Sequence, residues 1–268
     1  NPADWTLVSL DKPDRQYPWI PGYDVSGVVV ETGSHVSDFD AGDAVFGQLY
    51  PTPAGAYAEY AVVPPSQMAR KPASLDYLEA AAMPTVGLTA WQALFGAGQL
   101  SAGQTVLIHA AAGGVGHIAV QLAKWKDARV IGIASGRNAP FLDELGVDEF
   151  VDYTTTRFED VIRKVDVVLE MFGGDTVERS LGVLKKGGIF VSIKRAHAPE
   201  VAAQHEIRSR YILAQANTAD LQYLATLADE GHLKPHISTV LPLCEARRAF
   251  ELSQKGHTRG KIVLRVVE

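Results

Sequence analysis

Apolar and polar positions follow two different rhythms along this chain. Up to about residue 75, short alternating runs are punctuated by Gly and Pro. They predict strands over residues 23–31 (YDVSGVVVE), 44–46 and 57–63, with a turn over 32–38. Ser74 predicts an N-cap for a helix running through Glu79 and Met83, and a second helix is expected over 87–95. From Thr105 onward, compact apolar runs alternate with helical patterns. Strands are expected at 105–109, 129–134, just before Tyr153, and at 166–170, 188–193 and 211–215; helices at 114–125, 139–145, 176–184 and 219–229. Strict alternation of this kind predicts a parallel sheet with right-handed crossovers, an α/β doubly wound fold. The tail, 261–267, returns to a strand pattern.

Charge and composition narrow the function. With 25 basic and 31 acidic residues the formal net charge is −6, which argues against a nucleic-acid partner. No apolar run approaches the ~20 residues that span a bilayer, and no signal peptide is visible, so no membrane partner is expected. Cys244 is the single cysteine, which excludes an internal disulfide and fits a reducing, cytoplasmic setting.

The strongest local signal is TVLIHAAAGGVG, residues 105–116. An apolar strand runs into Ala112, Gly113, Gly114, Val115 and Gly116, and then into a helix. Such a turn lets the backbone approach a pyrophosphate and aims the helix N–H groups at its charge. The pattern departs from G-x-G-x-x-G, since Ala111 stands at its first Gly. NAD-binding sites usually end the next strand with an acid for the ribose hydroxyls. Here that strand ends in Ser135-Gly136-Arg137 with no acid, a hydroxyl and a guanidinium that suit a 2′-phosphate, so NADPH is the expected cofactor. Tyr153, after the third strand, is placed to add a hydroxyl or flank the adenine.

Several stretches together resemble the medium-chain dehydrogenase/reductase superfamily and, within it, the zinc-free NADPH:quinone oxidoreductases related to zeta-crystallin. They are NPADW (1–5), PGYDVSGVVVETG (21–33), GDAVFG (42–47), GAYAEYAVV (55–63), AAAMPTVGLTAWQAL (80–94), AAAGGVG (110–116) and GKIVL (260–264), in family order over nearly the whole chain. The resemblance implies a Rossmann domain, residues 87–231, inserted into a split, barrel-like (GroES-like) β domain made of 1–86 and 232–268, with the active site in the cleft. It also implies a further small-strand segment ahead of NPADW. It places Thr89, Phe172 and Lys261 at the cofactor, although a tail lysine is more often solvated.

Zinc-dependent relatives of that family carry a Cys near the NPAD position, a His-Glu pair near PGYD and a third ligand near residues 83–85. This chain has Asn1, Tyr23-Asp24 and no Cys or His at those positions. The histidines, such as His109, His117 and His205, show no ligand spacing and read as lone surface residues. Without a Lewis acid, the accessible chemistry is hydride delivery to an electron-poor acceptor, a quinone or an α,β-unsaturated carbonyl. Tyr23 and Asn1 are candidates for groups facing the acceptor oxygen, with structural packing or capping as the competing reading of each, and Asp24 reads as a structural acceptor. An enoyl-thioester reductase and a non-catalytic NADPH-binding sensor or structural protein are the alternatives. Finally, the apolar run 211–215 (YILAQ) predicts a sheet edge that a two-fold axis would pair with its own copy, giving a homodimer, or that the polar stretch 197–210 would cover in a monomer.

Overall fold

The structure is a computed structural model that describes residues 1–10, 17, 19–49, 55–194, 202 and 204–266. The chain forms two compact units: Asn1–Leu88 with Gln215–Glu268, and Thr89–Ala214.

In the second unit, six parallel strands alternate with helices: β4 (Thr105–Ile108), β5 (Arg129–Ala134), β6 (Glu149–Asp152), β7 (Val165–Glu170), β8 (Leu184–Ser192) and β9 (Arg208–Tyr211). Their order is β6-β5-β4-β7-β8-β9. This is the doubly wound sheet that the alternating pattern predicts. The central strands are apolar on both faces because helices cover both sides. Val106, Leu107, Ile108, Val168, Leu169, Phe190 and Val191 are each fully buried. Full burial of one such side chain contributes roughly 1.5–3 kcal/mol. The strand order reverses between β4 and β7, so the loops that leave these two strands flank a crevice at their C-terminal ends.

The last strand departs from expectation. The edge strand is Arg208–Tyr211, RSRY, and not the apolar 211–215. Its register pairs Ile189 with Arg208 and Ser192 with Tyr211, and the ladder runs out at Ile212, whose N–H still reaches Ser192 O at 3.0 Å. Backbone pairing with β8 sets the edge, and an exposed edge tolerates charge better than apolar side chains. The stretch expected to cover it, 197–210, lies partly outside the described residues.

The first unit holds an antiparallel sheet of β1 (Asp24–Val28), β2 (Ala44–Gln48) and β3 (Met68–Arg70), closed on a small core of Phe39, Val45 and Met68. The expected strand over 57–63 is absent: residues 56–59 bend, and the third strand forms only after Pro64 and Pro65. The tail strand β11 (Lys261–Arg265) pairs in parallel with β10 (Ile237–Pro242), which the apolar pattern did not reveal; Val267 lies outside the described residues.

Helix Tyr77–Ala81 is capped by Asp76 and not by Ser74, because Asp76 and Glu79 satisfy each other's backbone N–H reciprocally. Ser74 gives its N–H to Asp229 instead, at 2.8 Å. That bond explains a second difference. Helix Thr218–Asp229, expected in the dinucleotide-binding domain, belongs to the first unit, where Thr218 Oγ1 also donates to Pro65 O and Leu224 packs against Gly87. The units therefore divide at 88/89 and 214/215 and not at 86/87 and 231/232. The expected helix 87–95 begins earlier, at Pro84, and widens after Trp91 into a π turn over Gln92–Ala97.

Candidate functional site

β4 ends at Ile108, and the chain then turns through His109–Gly113 into helix α4 (Gly114–Trp125). Ala110 adopts a left-handed conformation, φ 46°, and its carbonyl accepts the N–H of Gly113 at 2.8 Å. A Cβ on Gly116 would collide with that same carbonyl and with the Ala111 backbone, so the helix sits too close to the strand end for any side chain. This is the close-packing role of the last fingerprint glycine. Ala111 replaces the first glycine without penalty because β5 offers Gly132 opposite it: a Cβ there would lie only 3.2 Å from the Ala111 methyl. The first-turn N–H groups of α4, on Gly114, Val115 and Gly116, have no acceptor within the helix and point past Gly113. The turn thus fits a dinucleotide pyrophosphate.

At the end of β5, Ser135 is half-buried and Arg137 exposed. Ser135 does not cap the following turn through its side chain; its Oγ accepts from the Asn138 amide at 3.1 Å, which leaves the hydroxyl hydrogen to donate outward. The structure adds an acid that sequence spacing concealed. Asp152, at the end of neighbouring β6, accepts the Gly136 N–H and occupies the space a Cβ on Gly136 would need. Its Oδ1 also accepts from Thr154 N (2.9 Å) and Thr154 Oγ1 (2.7 Å). These hydrogen bonds, Thr154's first, hold the carboxyl below its ordinary range. Tyr153, next to it, is exposed.

On the other side of the strand reversal, β7 ends in Glu170, which is fully buried. Its Oε1 accepts from Phe172 N (2.6 Å) and Gly173 N (2.7 Å) and lies 3.1 Å from Thr176 Oγ1; its Oε2 is 3.3 Å from Ser192 Oγ. Gly173 and Gly174 both take positive φ, 77° and 65°, so the turn depends on their lack of Cβ. Phe172 is 54% exposed. Behind it, His109 Nε2 lies 2.8 Å from Ser180 Oγ, which donates to Thr176 O at 2.6 Å, so Nε2 carries the imidazole proton. Burial pushes the His109 pKa down to about 4. Contrary to expectation, His109 and His117 are buried, whereas His205 is exposed as expected. His109 continues the buried strand β4, and His117 lies on the inward face of α4 with Nδ1 2.8 Å from Gly113 O.

In the first unit, Asn1, Asp24, Thr85 and Lys261 form one largely buried cluster. Asp24 Oδ1 accepts from Thr85 N at 2.7 Å; Oδ2 accepts from Asn1 Nδ2 at 2.8 Å and from Lys261 Nζ at 3.1 Å. Lys261 also donates to Asn1 Oδ1 at 2.5 Å and is only 6% exposed. Burial raises the Asp24 pKa, but the Lys261 charge and the hydrogen bonds from Thr85 and Asn1 outweigh it and hold the carboxyl low. Lys261, expected at the cofactor or in solvent, is therefore committed to Asp24 and Asn1. The amide hydrogens of Asn1 are directed at Asp24 and, at 3.2 Å, at Asp4, so Asn1 acts as an anchor in this cluster. Tyr23 is half-buried directly ahead of β1, and Thr89 is buried on helix Pro84–Trp91. Among the described residues no group of three or more His, Cys, Asp or Glu side chains is arranged to hold a metal ion.

A glycine turn at a strand reversal, opposite a glycine-held loop, is the arrangement of a dinucleotide-binding fold, and comparison with known proteins gives its class. Residues 1–73 match the alcohol dehydrogenase GroES-like domain family, and residues 145–264 match the family described as zinc-binding dehydrogenase. The chain is 32% identical to a mouse mitochondrial NAD(P)H oxidoreductase, RTN4IP1, over 94% of this chain and 72% of that protein. It is 34% identical to a tomato 2-methylene-furan-3-one reductase, over 98% of this chain and 68% of that protein. The solved structure of a quinone oxidoreductase from Coxiella burnetii superposes with a TM-score of 0.91 at 40% identity, covering 100% of this chain and 87% of that one. The chain belongs to the quinone-oxidoreductase family of the medium-chain dehydrogenase/reductase superfamily. It is an oxidoreductase with a nicotinamide cofactor.

Proposed function

We propose that this protein is an NADPH-dependent reductase that transfers hydride to a quinone or an α,β-unsaturated carbonyl without zinc. The observation that carries the reading is the cluster around Asp24. The positions where zinc-dependent relatives hold their ligands carry here an amide, a tyrosine–aspartate pair and a backbone N–H, and the cation beside the carboxylate is the Lys261 ammonium, 3.1 Å away. An ammonium and an amide do not make the N, S and carboxylate set that zinc requires. An acceptor for this protein must therefore be electron-poor on its own account.

When bound, the reduced nicotinamide supplies the hydride. The turn from Ala112 to Gly116 holds the pyrophosphate, and Ser135 and Arg137 meet the 2′-phosphate. With the Asn1 amide spent on Asp24 and Asp4, the Tyr23 hydroxyl is the remaining candidate to donate a hydrogen bond to the oxygen that gains charge. The test is NADPH oxidation with a naphthoquinone, before and after exhaustive chelation, together with elemental analysis. We expect turnover to survive chelation unchanged; one stoichiometric zinc whose removal abolishes turnover would overturn the reading.

A further inference from the structure

We propose that Glu170 is a positioning residue for the nicotinamide half of the dinucleotide, setting the 171–174 turn through which Phe172 meets the cofactor. The inference rests on nicotinamide-cofactor use and goes beyond it to a residue that touches neither substrate nor cofactor.

The adenosine half has its place on one side of the strand reversal: the glycine turn follows β4, Ser135 and Arg137 follow β5, and Tyr153 follows β6. A dinucleotide laid across the reversal must carry its other half over the loop that follows β7. That loop is short, and it contains Phe172, Gly173 and Gly174. Its two glycines with positive φ give it no conformational preference of its own. What fixes it is the carboxylate one turn below. Two consecutive loop N–H groups, from Phe172 and Gly173, converge on one oxygen of Glu170.

A carboxylate buried at the end of a strand is costly unless such donors compensate it. An apolar residue there would leave both loop N–H groups without their acceptor. The loop is also tied back to the glycine turn. His109 donates to Ser180, Ser180 donates to Thr176 O, and Thr176 packs its hydroxyl between Glu170 and Gly173 O. The His109 ring meets Phe172 edge-on, 6.4 Å between centroids. Both walls of the crevice thus share one buried network.

The experiment separates the two halves of the cofactor. Affinities for NADPH and for 2′,5′-ADP, which lacks the nicotinamide end, are measured by titration calorimetry, with NADH and ADP in parallel. Glu170→Asp keeps the charge but withdraws the acceptor by one methylene. We expect its Kd for NADPH to rise about tenfold, the equivalent of one lost hydrogen bond, while that for 2′,5′-ADP changes less than about twofold. Glu170→Gln, which retains an acceptor oxygen, should restore most of the NADPH affinity. Phe172→Ala, at an exposed site, should show the same split and serves if Glu170→Asp does not fold. Parallel weakening of both ligands, or an unchanged ratio in a folded variant, overturns the inference alone. Preference for NADH would overturn only the proposed cofactor, and the NADH/ADP pair then carries the same test. Binding of neither cofactor by the unaltered protein would overturn both readings.

Discussion

Asp24 opens strand β1 of one unit and Glu170 closes strand β7 of the other; both are buried carboxylates, and they are held by different means. Asp24 is paired with a cation from the far end of the chain: Lys261 lies 237 residues away and reaches it from β11. Glu170 is held by amides and hydroxyls, and except for Ser192 these come from the six residues that follow it. The first arrangement is a staple between distant segments, fixing the tail strand against the start of the chain. The second is a local device that shapes one loop. Their failure modes differ accordingly. Loss of one partner of the staple leaves a buried charge uncompensated, whereas loss of a donor to Glu170 leaves the strand in place and loosens only what it presents.

The largest effect should therefore come from Lys261→Met. Removing one partner of a buried pair typically costs about 3–5 kcal/mol. Urea unfolding should show a loss of that order, and adding Asp24→Asn to the same chain should recover most of it. A loss below about 1 kcal/mol would mean that the staple is solvated and the contrast with Glu170 is wrong.

Acidity separates the two regions further. Asp24 has its folded pKa below the ordinary 3.8, so its contribution to stability is present above that value and lost only as pH falls below it, through the folded pKa. His109, behind the Glu170 loop, is shifted from 6.5 to about 4 by burial. Its unfolded form takes up a proton first on acidification. Its contribution is thus fully present above 6.5 and is lost as pH falls from 6.5 to about 4. A shift of this size corresponds to roughly 3 kcal/mol. Unfolding free energies across that window should fall in the unaltered protein, and the fall should be smaller by about that amount in His109→Gln, whose amide can still donate to Ser180. An identical pH profile in the two proteins would remove His109 from the network.

What the sequence made legible follows from how local each feature is. The parallel sheet and the glycine turn were readable because apolar periodicity and the strand–glycine–helix order are properties of neighbouring residues. The edge strand was misplaced because RSRY carries no apolar signal and pairs only through its backbone with β8. The Asp24 cluster joins residues 1, 24, 85 and 261, and no spacing rule connects them. Asp152 stayed hidden for the same reason, since it reaches Gly136 across a strand pair. Glu170 had a readable signal that went unused: a carboxylate at the C-terminal end of VDVVLE, ahead of a double glycine.

Asp152 sharpens the comparison from the exposed side and yields the smallest expected effect. It is a third strand-end carboxylate, charged at neutral pH, and it stands where the sequence showed no acid. An acid in this neighbourhood ordinarily accepts from the ribose hydroxyls and selects NADH. Here Oδ1 accepts from Thr154 N and Oγ1, and the group also accepts the Gly136 N–H, so in the proposed NADPH reading it serves the turn. On that proposal, selection falls to Ser135 and Arg137. Arg137→Ala should weaken NADPH roughly tenfold or more, the loss of a charge-assisted hydrogen bond worth about 1.5–3 kcal/mol, and leave NADH nearly unchanged. Affinities for both cofactors can be read by nicotinamide fluorescence. If the unaltered protein binds the two equally, or if the substitution weakens both alike, Asp152 is acting on the ribose after all and the NADPH preference is wrong.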